Sequence, residues 1–185
     1  MIVLLSAVLL AAAGPSPSPA VLEAGLNGSW KGSLGYRDYQ SNEIQEIPVS
    51  TRIEALSDGA TVLRIPTFDD GPNVGNVIIT TASLHDPVAG IVTLGRFRKG
   101  RPVELSTAQL SVTAFKDATH WTVTSEEDGR DDDKPALIRV TEVRDGDMLT
   151  ATKDVQLKAG SAGWQFRNRT RLMLEIGRST SDGHR

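Results

Sequence analysis

The chain has a small catalytic vocabulary. It carries three histidines, His85, His120 and His184, and no cysteine, so thiol chemistry, thiolate metal sites and disulfides are excluded. A catalytic zinc needs three convergent protein ligands, and only two of the histidines fall in the body of the sequence. A serine nucleophile needs a histidine within hydrogen-bond reach and donors for an oxyanion. The segments "GSLG" and "AGSAG" lack the G-x-S-x-G elbow that presents such a serine. The run Glu126-Glu127-Asp128-Gly129-Arg130-Asp131-Asp132-Asp133-Lys134 has carboxylates enough for calcium, which takes about six to eight oxygens. Its spacing is not that of an EF-hand, and Arg130 and Lys134 mark it as a solvated hairpin tip. Phe68-Asp69-Asp70-Gly71 reads as turn chemistry. Arg167, Arg169 and Arg171 alternate with Phe166, Asn168, Thr170 and Leu172. Facing inward, the arginines would form an anion site. That arrangement exposes Phe166, Leu172 and Leu174, each worth about 1.5–3 kcal/mol when buried, and buries unpaired guanidiniums. The arginines are therefore expected to face out. No acid-base constellation converges: the reading is not an enzyme, with no metal and no cofactor.

The elements that would position any of these groups are short β-branched runs of period two, separated by turn residues. Trp30, Gly32, Leu34 and Tyr36 share one face of "GSWKGSLGYR"; Lys31, Ser33, Gly35 and Arg37 share the other. Ile47, Val49, Thr51, Ile53 and Ala55 alternate with Glu46, Pro48, Ser50, Arg52 and Glu54. Further runs follow: "ATVLRIPTF", "NVIITTASL", "GIVTLGRFR", "VELSTAQLSVTAF", "HWTVTSEE", "ALIRVTEV", "MLTATKDVQL" and "WQFRNRTRLMLEI". In "VELSTAQLSVTAF" the alternation slips around Thr107 to Gln109, which predicts a bulge there. Asp145-Gly146 is a strong hairpin signal. About ten strands with short connections pair antiparallel. A sheet of that size either splits into a two-sheet sandwich or closes on itself to remove its edges, and meander spacing without a long crossover favours closure. The fold class is all-β: a closed antiparallel up-and-down barrel of about 8–10 strands.

Bulk properties agree. The chain has 185 residues and a formal net charge of −3, suited to one domain without a basic stripe, so nucleic acid is not a partner. Aromatic residues are 5% of the chain, too few for the girdles of a membrane-spanning barrel, and charge on outward faces is costly in lipid. "MIVLLSAVLLAAA" followed by "GPSPSPA" reads as a signal peptide with a Pro/Ser-rich leader, too short to span a bilayer. Small-x-small cleavage patterns end at Ala13 and at Ala20. The division is residues 1–20 as leader, 26–176 as a single barrel domain and 177–185 as a disordered tail. The expected location is periplasmic or secreted.

Gly28-Ser29-Trp30 resembles the G-x-W signature that opens the first strand of lipocalin-like (calycin) barrels. The resemblance implies that the Trp plugs one barrel end, with an Arg of the last strand over its indole; Gly28, Trp30 and Arg171 are the residues assigned to this closure. The longer pattern Gly28-x-Trp30-x-Gly32…Tyr36 is similar to the opening of ten-stranded nitrobindin-like haem barrels, which bind iron through a late histidine. The last strand here contains none.

A barrel of this size lined by small and medium residues leaves room for a ligand. The inward set is expected to include Thr51, Ile53, Val62, Ile78, Thr80, Phe97, Val112, Thr150, Phe166 and Thr170. The expected function is non-catalytic binding of a small, mostly apolar (hydrophobic) ligand. The alternative is a structural or protein-interaction module of the cell envelope, using "RDYQSNE" and "EEDGRDDD" as exposed loops and recruiting a protein partner.

Overall fold

Period-two patterning along nearly the whole chain leaves the backbone one way to satisfy its polar groups without an exposed edge, and the chain takes it. A computed structural model describes residues 16–37, 43–160 and 163–175. A short helix, α1 (Pro19–Ala24), precedes ten strands: β1 (Gly28–Arg37), β2 (Ile44–Ala55), β3 (Thr61–Asp69), β4 (Asn76–Asp86), β5 (Ile91–Arg98), β6 (Glu104–Asp117), β7 (His120–Asp131), β8 (Lys134–Asp145), β9 (Met148–Leu157) and β10 (Gln165–Leu174). Each strand pairs antiparallel with its sequence neighbours, and β10 closes on β1 to complete the barrel. The segment through Pro15 that was read as a signal peptide, most of the "RDYQSNE" loop and the tail from Ile176 lie outside the described residues. Among the described residues no helix is long and apolar enough to cross a membrane.

The strand runs define two ends. The connections after β2, β4, β6 and β8 lie at the closed end with α1; those after β1, β3, β5, β7 and β9 lie at the mouth. The core gathers at the closed end, where Leu22, Leu26, Trp30, Ile53, Val62, Trp121, Leu149 and Leu172 form one buried cluster. Residues 19–25 were expected to precede the domain. Instead they belong to it: Ala20 and Leu22 are buried, because a helix laid across the open bore covers apolar side chains that ten strands alone leave wet.

Two glycines make the β1–β10 seam possible. Gly28 has φ +145°, a conformation side chains rarely adopt, and a Cβ on Gly32 would stand 1.8 Å from the carbonyl oxygen of Arg171. Side chains are excluded where the two backbones approach this closely.

Local phase differs from expectation in two strands. β6 stays in register with β5 through Thr107 to Gln109. Its irregularities come later, between Val112 and Ala114 and between Phe115 and Asp117. Val103 and Leu105 are out of phase with Leu110 and Val112 because they are exposed on the outer side, at 54% and 77%. In β10 the register shifts between Phe166 and Asn168. The extra residue puts Phe166 opposite Asp154 on the outer row and Asn168 opposite Lys153 on the inner row. Arg167, at the bulge, pairs with Asp131, both side chains 17% exposed.

Arg171 does not close the barrel. It pairs with Ser33 on the outward row and is exposed. The guanidinium over Trp30 belongs to Arg144 of β8, 6.0 Å from the ring centroid. Arg144 is buried and donates from Nη1 to the carbonyl of Gly25 at 2.7 Å and from Nε to that of Gly146 at 3.2 Å. Trp30 Nε1 in turn donates to the Leu26 carbonyl at 2.8 Å. The closure has the chemistry implied by the resemblance but takes its cation from another strand.

Candidate functional site

Alternation sends every second side chain into the bore. On β3 these are Val62, Arg64, Pro66 and Phe68; on β8 they are Ala136, Ile138, Val140, Glu142 and Arg144. Arg64 and Glu142 meet through a two-point pair: Nη2 donates to Oε2 at 2.9 Å and Nη1 donates to Oε1. From α1, Glu23 places Oε2 at 3.1 Å from Nη2 of Arg64. The three side chains are 20%, 12% and 9% exposed, respectively. His85, 2% exposed, stands 3.5 Å from Glu23 Oε2 through Nε2, an electrostatic contact rather than a well-made hydrogen bond. Burial alone would raise the Glu23 carboxyl, but Arg64, and after it His85, hold it below the usual carboxylate range. Burial likewise works against charge on Arg64, yet Glu142 and Glu23 push it above its ordinary value.

Above this floor lies a chamber of about 740 Å³ opening at the mouth. Its walls come from the inward rows of β5 to β10, including Arg96, Ser106, Glu127, Lys153, Asn168 and Thr170. Arg96 donates to Ser106 Oγ at 3.0 Å and to Glu127 Oε1 at 2.9 Å. The second carboxylate oxygen of Glu127 is buried with no hydrogen-bond partner, a costly state for a charged group unless something else donates to it. Two smaller chambers lie lower, of about 160 and 190 Å³, and both are bounded by Arg64, Thr81 and Glu142.

Of the ten residues expected to line the cavity, five face the bore. Thr51, Ile53 and Thr170 line chambers, while Val62 and Val112 sit in or against the core cluster. The other five face outward. Ile78 and Phe97 are 51% and 47% exposed, Thr80 pairs with Phe97, Thr150 pairs with outward Arg171, and Phe166 is turned out by the bulge. The two apolar rows of "NVIITTASL" disguised the phase of β4, whose inner row is Val77, Ile79, Thr81, Ser83 and His85. Sequence reasoning passed over Arg64, Arg96, Glu142 and Lys153, and it placed Glu127 in a solvated hairpin tip rather than on the chamber wall. The available signal was a charged residue on an otherwise apolar row, as with Arg64 between Val62 and Pro66.

The acidic turn does not gather its carboxylates. Glu126 pairs with Arg139, Glu127 with Arg96, Asp128 with Lys158 and Asp131 with Arg167. Among the described residues no group of three or more histidine or acidic side chains could hold a metal. His120 lies at the closed end, with Nδ1 at 2.8 Å from Asp117 Oδ1. That contact and Thr119 hold the Asp117 carboxyl well below the usual range. Haem, which the nitrobindin-like resemblance brings with it, needs an axial ligand. The inner row of β10 offers Asn168, Thr170, Leu172 and Leu174, and His85 is closed in behind Glu23. These residues do not fit that group.

The fold has a solved counterpart. The crystal structure of Rv2717c from M. tuberculosis superposes with a TM-score of 0.58 at 15% sequence identity, covering 87% of this chain and 100% of that one. At that identity the likeness concerns the fold alone. No family profile matches the chain, and no curated protein does. The closed ten-strand barrel is consistent with a calycin-like architecture.

Proposed function

We propose that this protein binds a small molecule non-catalytically in the mouth of its barrel. The observation that carries the reading is the chamber of about 740 Å³ with Glu127 Oε2 left unpartnered beside it. Its walls favour a ligand with hydrogen-bond donors and acceptors over the mostly apolar one expected from the sequence. Arg96 and Lys153 suit an acceptor or anionic group, and Glu127 suits a donor. The calycin-like resemblance of Gly28 and Trp30 supports the same reading, since such barrels place their ligands in the bore. Native mass spectrometry of the gently purified protein, followed by thermal-shift screening of polar metabolites, tests it. A bound mass or a stabilising compound whose effect is lost in Glu127→Gln supports the reading. No bound mass and no shift across the panel overturns it.

Export belongs to the same proposal, on the strength of the apolar leader. α1 adds a constraint: cleavage after Ala13 leaves the closing helix whole, whereas cleavage after Ala20 removes its first two residues, Pro19 and the buried Ala20. Sequencing the N-terminus of secreted or periplasmic material checks both points.

A second reading, an interaction module, is favoured by the β5–β6 hairpin. Phe97, Val103 and Leu105 are exposed there, beside Arg98, Lys99 and Arg101. Affinity capture with wild type against a Phe97→Ser/Leu105→Ser variant distinguishes it from ligand binding.

A further inference from the structure

We propose that the Arg64–Glu142 bridge is the specificity-determining partition of the barrel, barring chain-like ligands and restricting the site to compact polar molecules held above it. This inference rests on the reading of the barrel as a binding protein.

β3 and β8 stand five strands apart in either direction around the closed sheet. Two inward side chains on such strands can touch only by spanning the bore. Arg64 and Glu142 do so with both guanidinium nitrogens on both carboxylate oxygens, and Glu23 steadies the arginine from below. The two lower chambers are what the span leaves on either side. One is walled by β2, β3, β9 and β10 with Val49, Phe68, Leu149 and Leu172; the other is walled by β4 to β8 with Ser83 and Ser125. Arg64, Thr81 and Glu142 bound both. Without the bridge, the apolar chamber would continue the mouth chamber toward the core, as Ala151 and Thr170 already line both. With it, an acyl chain entering from the mouth has to part a buried ion pair and strand Glu142 in a dry site, which is strongly disfavoured. A compact polar ligand resting on Arg96, Glu127 and Lys153 meets no such barrier.

The test measures binding of linear saturated fatty acids, from hexanoate to tetradecanoate, by isothermal titration. Wild type is compared with Glu23→Gln/Arg64→Leu/Glu142→Ala, whose fold is checked by circular dichroism. Each methylene that enters an apolar bore strengthens binding by about fourfold. Wild type is expected to show no gain with chain length, and the opened variant a steady gain. Glu142→Ala alone leaves Arg64 paired with Glu23, so it folds where the triple variant does not, and it should show a partial gain. Equal slopes in wild type and variants overturn the partition while leaving ligand binding intact. A folded variant that binds no fatty acid also overturns it. Failure of the polar-metabolite screen instead overturns the binding reading, and the partition's role in specificity with it.

Discussion

Replacing Arg64 by Met removes the guanidinium that faces two carboxylates, which are 9% and 12% exposed. Met has similar length, so packing is little changed and the cost is electrostatic. Breaking a buried pair by deleting one partner costs about 3–5 kcal/mol, and stranding Glu23 and Glu142 together places Arg64→Met at the upper end, about 4–5 kcal/mol. Glu142→Leu costs less, roughly 1–2 kcal/mol, since Arg64 keeps Glu23 and the apolar replacement strands no charge. The double variant strands only Glu23, beside His85, and should fall between the two at about 2–3 kcal/mol. The order Glu142→Leu, then double, then Arg64→Met is the diagnostic result, because independent sites would make the double variant the worst. Urea denaturation at neutral pH measures the three values. By calorimetry the Arg64→Met loss corresponds to a fall in Tm of roughly 8–20 °C for a chain of this size. Additive costs, or an Arg64→Met loss under about 1 kcal/mol, would refute the claim that a desolvated network spans the bore.

Acid should weaken the fold through the same cluster. The Glu23 carboxyl is held below its ordinary value in the folded state, so the unfolded chain binds protons first; the contribution is full above about pH 4.5 and is lost as pH falls through the folded value. Glu23→Gln should be less stable at neutral pH and show a shallower loss from about pH 5 downward, read from chemical denaturation at each pH. Gly32→Ala, with its Cβ 1.8 Å from a backbone oxygen, should cost about 3 kcal/mol or more by forcing the β1–β10 seam apart; a thermal melt within a degree or two of wild type would contradict the close approach. Arg144→Ala should cost about 2–4 kcal/mol by orphaning the Gly25 and Gly146 carbonyls, whereas Arg171→Ala should stay within about 0.5 kcal/mol, and denaturant midpoints compare them directly. Asp132 and Asp133 both have positive φ, 49° and 58°, as in a type I′ hairpin, so Asp132→Asn/Asp133→Gly should raise stability by about 1 kcal/mol, measured as a higher denaturation midpoint.

The alternation of Trp30, Gly32, Leu34 and Tyr36 against Lys31, Ser33, Gly35 and Arg37 is a local property of the chain. It suffices to say that β1 is a strand with Trp30 inside. Repeated over about ten segments with short turns, it leaves closure as the way to remove two edges, so the meeting of β1 with β10 was legible before any coordinates. Trp30 as the closing plug was instead implied by the G-x-W resemblance, and it sits in the buried cluster at the closed end. The phase of β4 was not legible, because both rows of "NVIITTASL" are apolar and neither is labelled as inner. Nor was the bulge at Arg167, which turns Phe166 outward. Arg144 and Arg171 are equally basic in the sequence, and only the row each occupies decides which one reaches the indole. The cross-bore pair lies furthest from sequence: Arg64 and Glu142 are separated by 78 positions, and nothing local links them. Pattern fixes which side chains share a face, because the period of a strand is set by its own backbone. Which charges meet across the bore depends on how many strands close the sheet and how they are staggered, and the assembled barrel alone decides that.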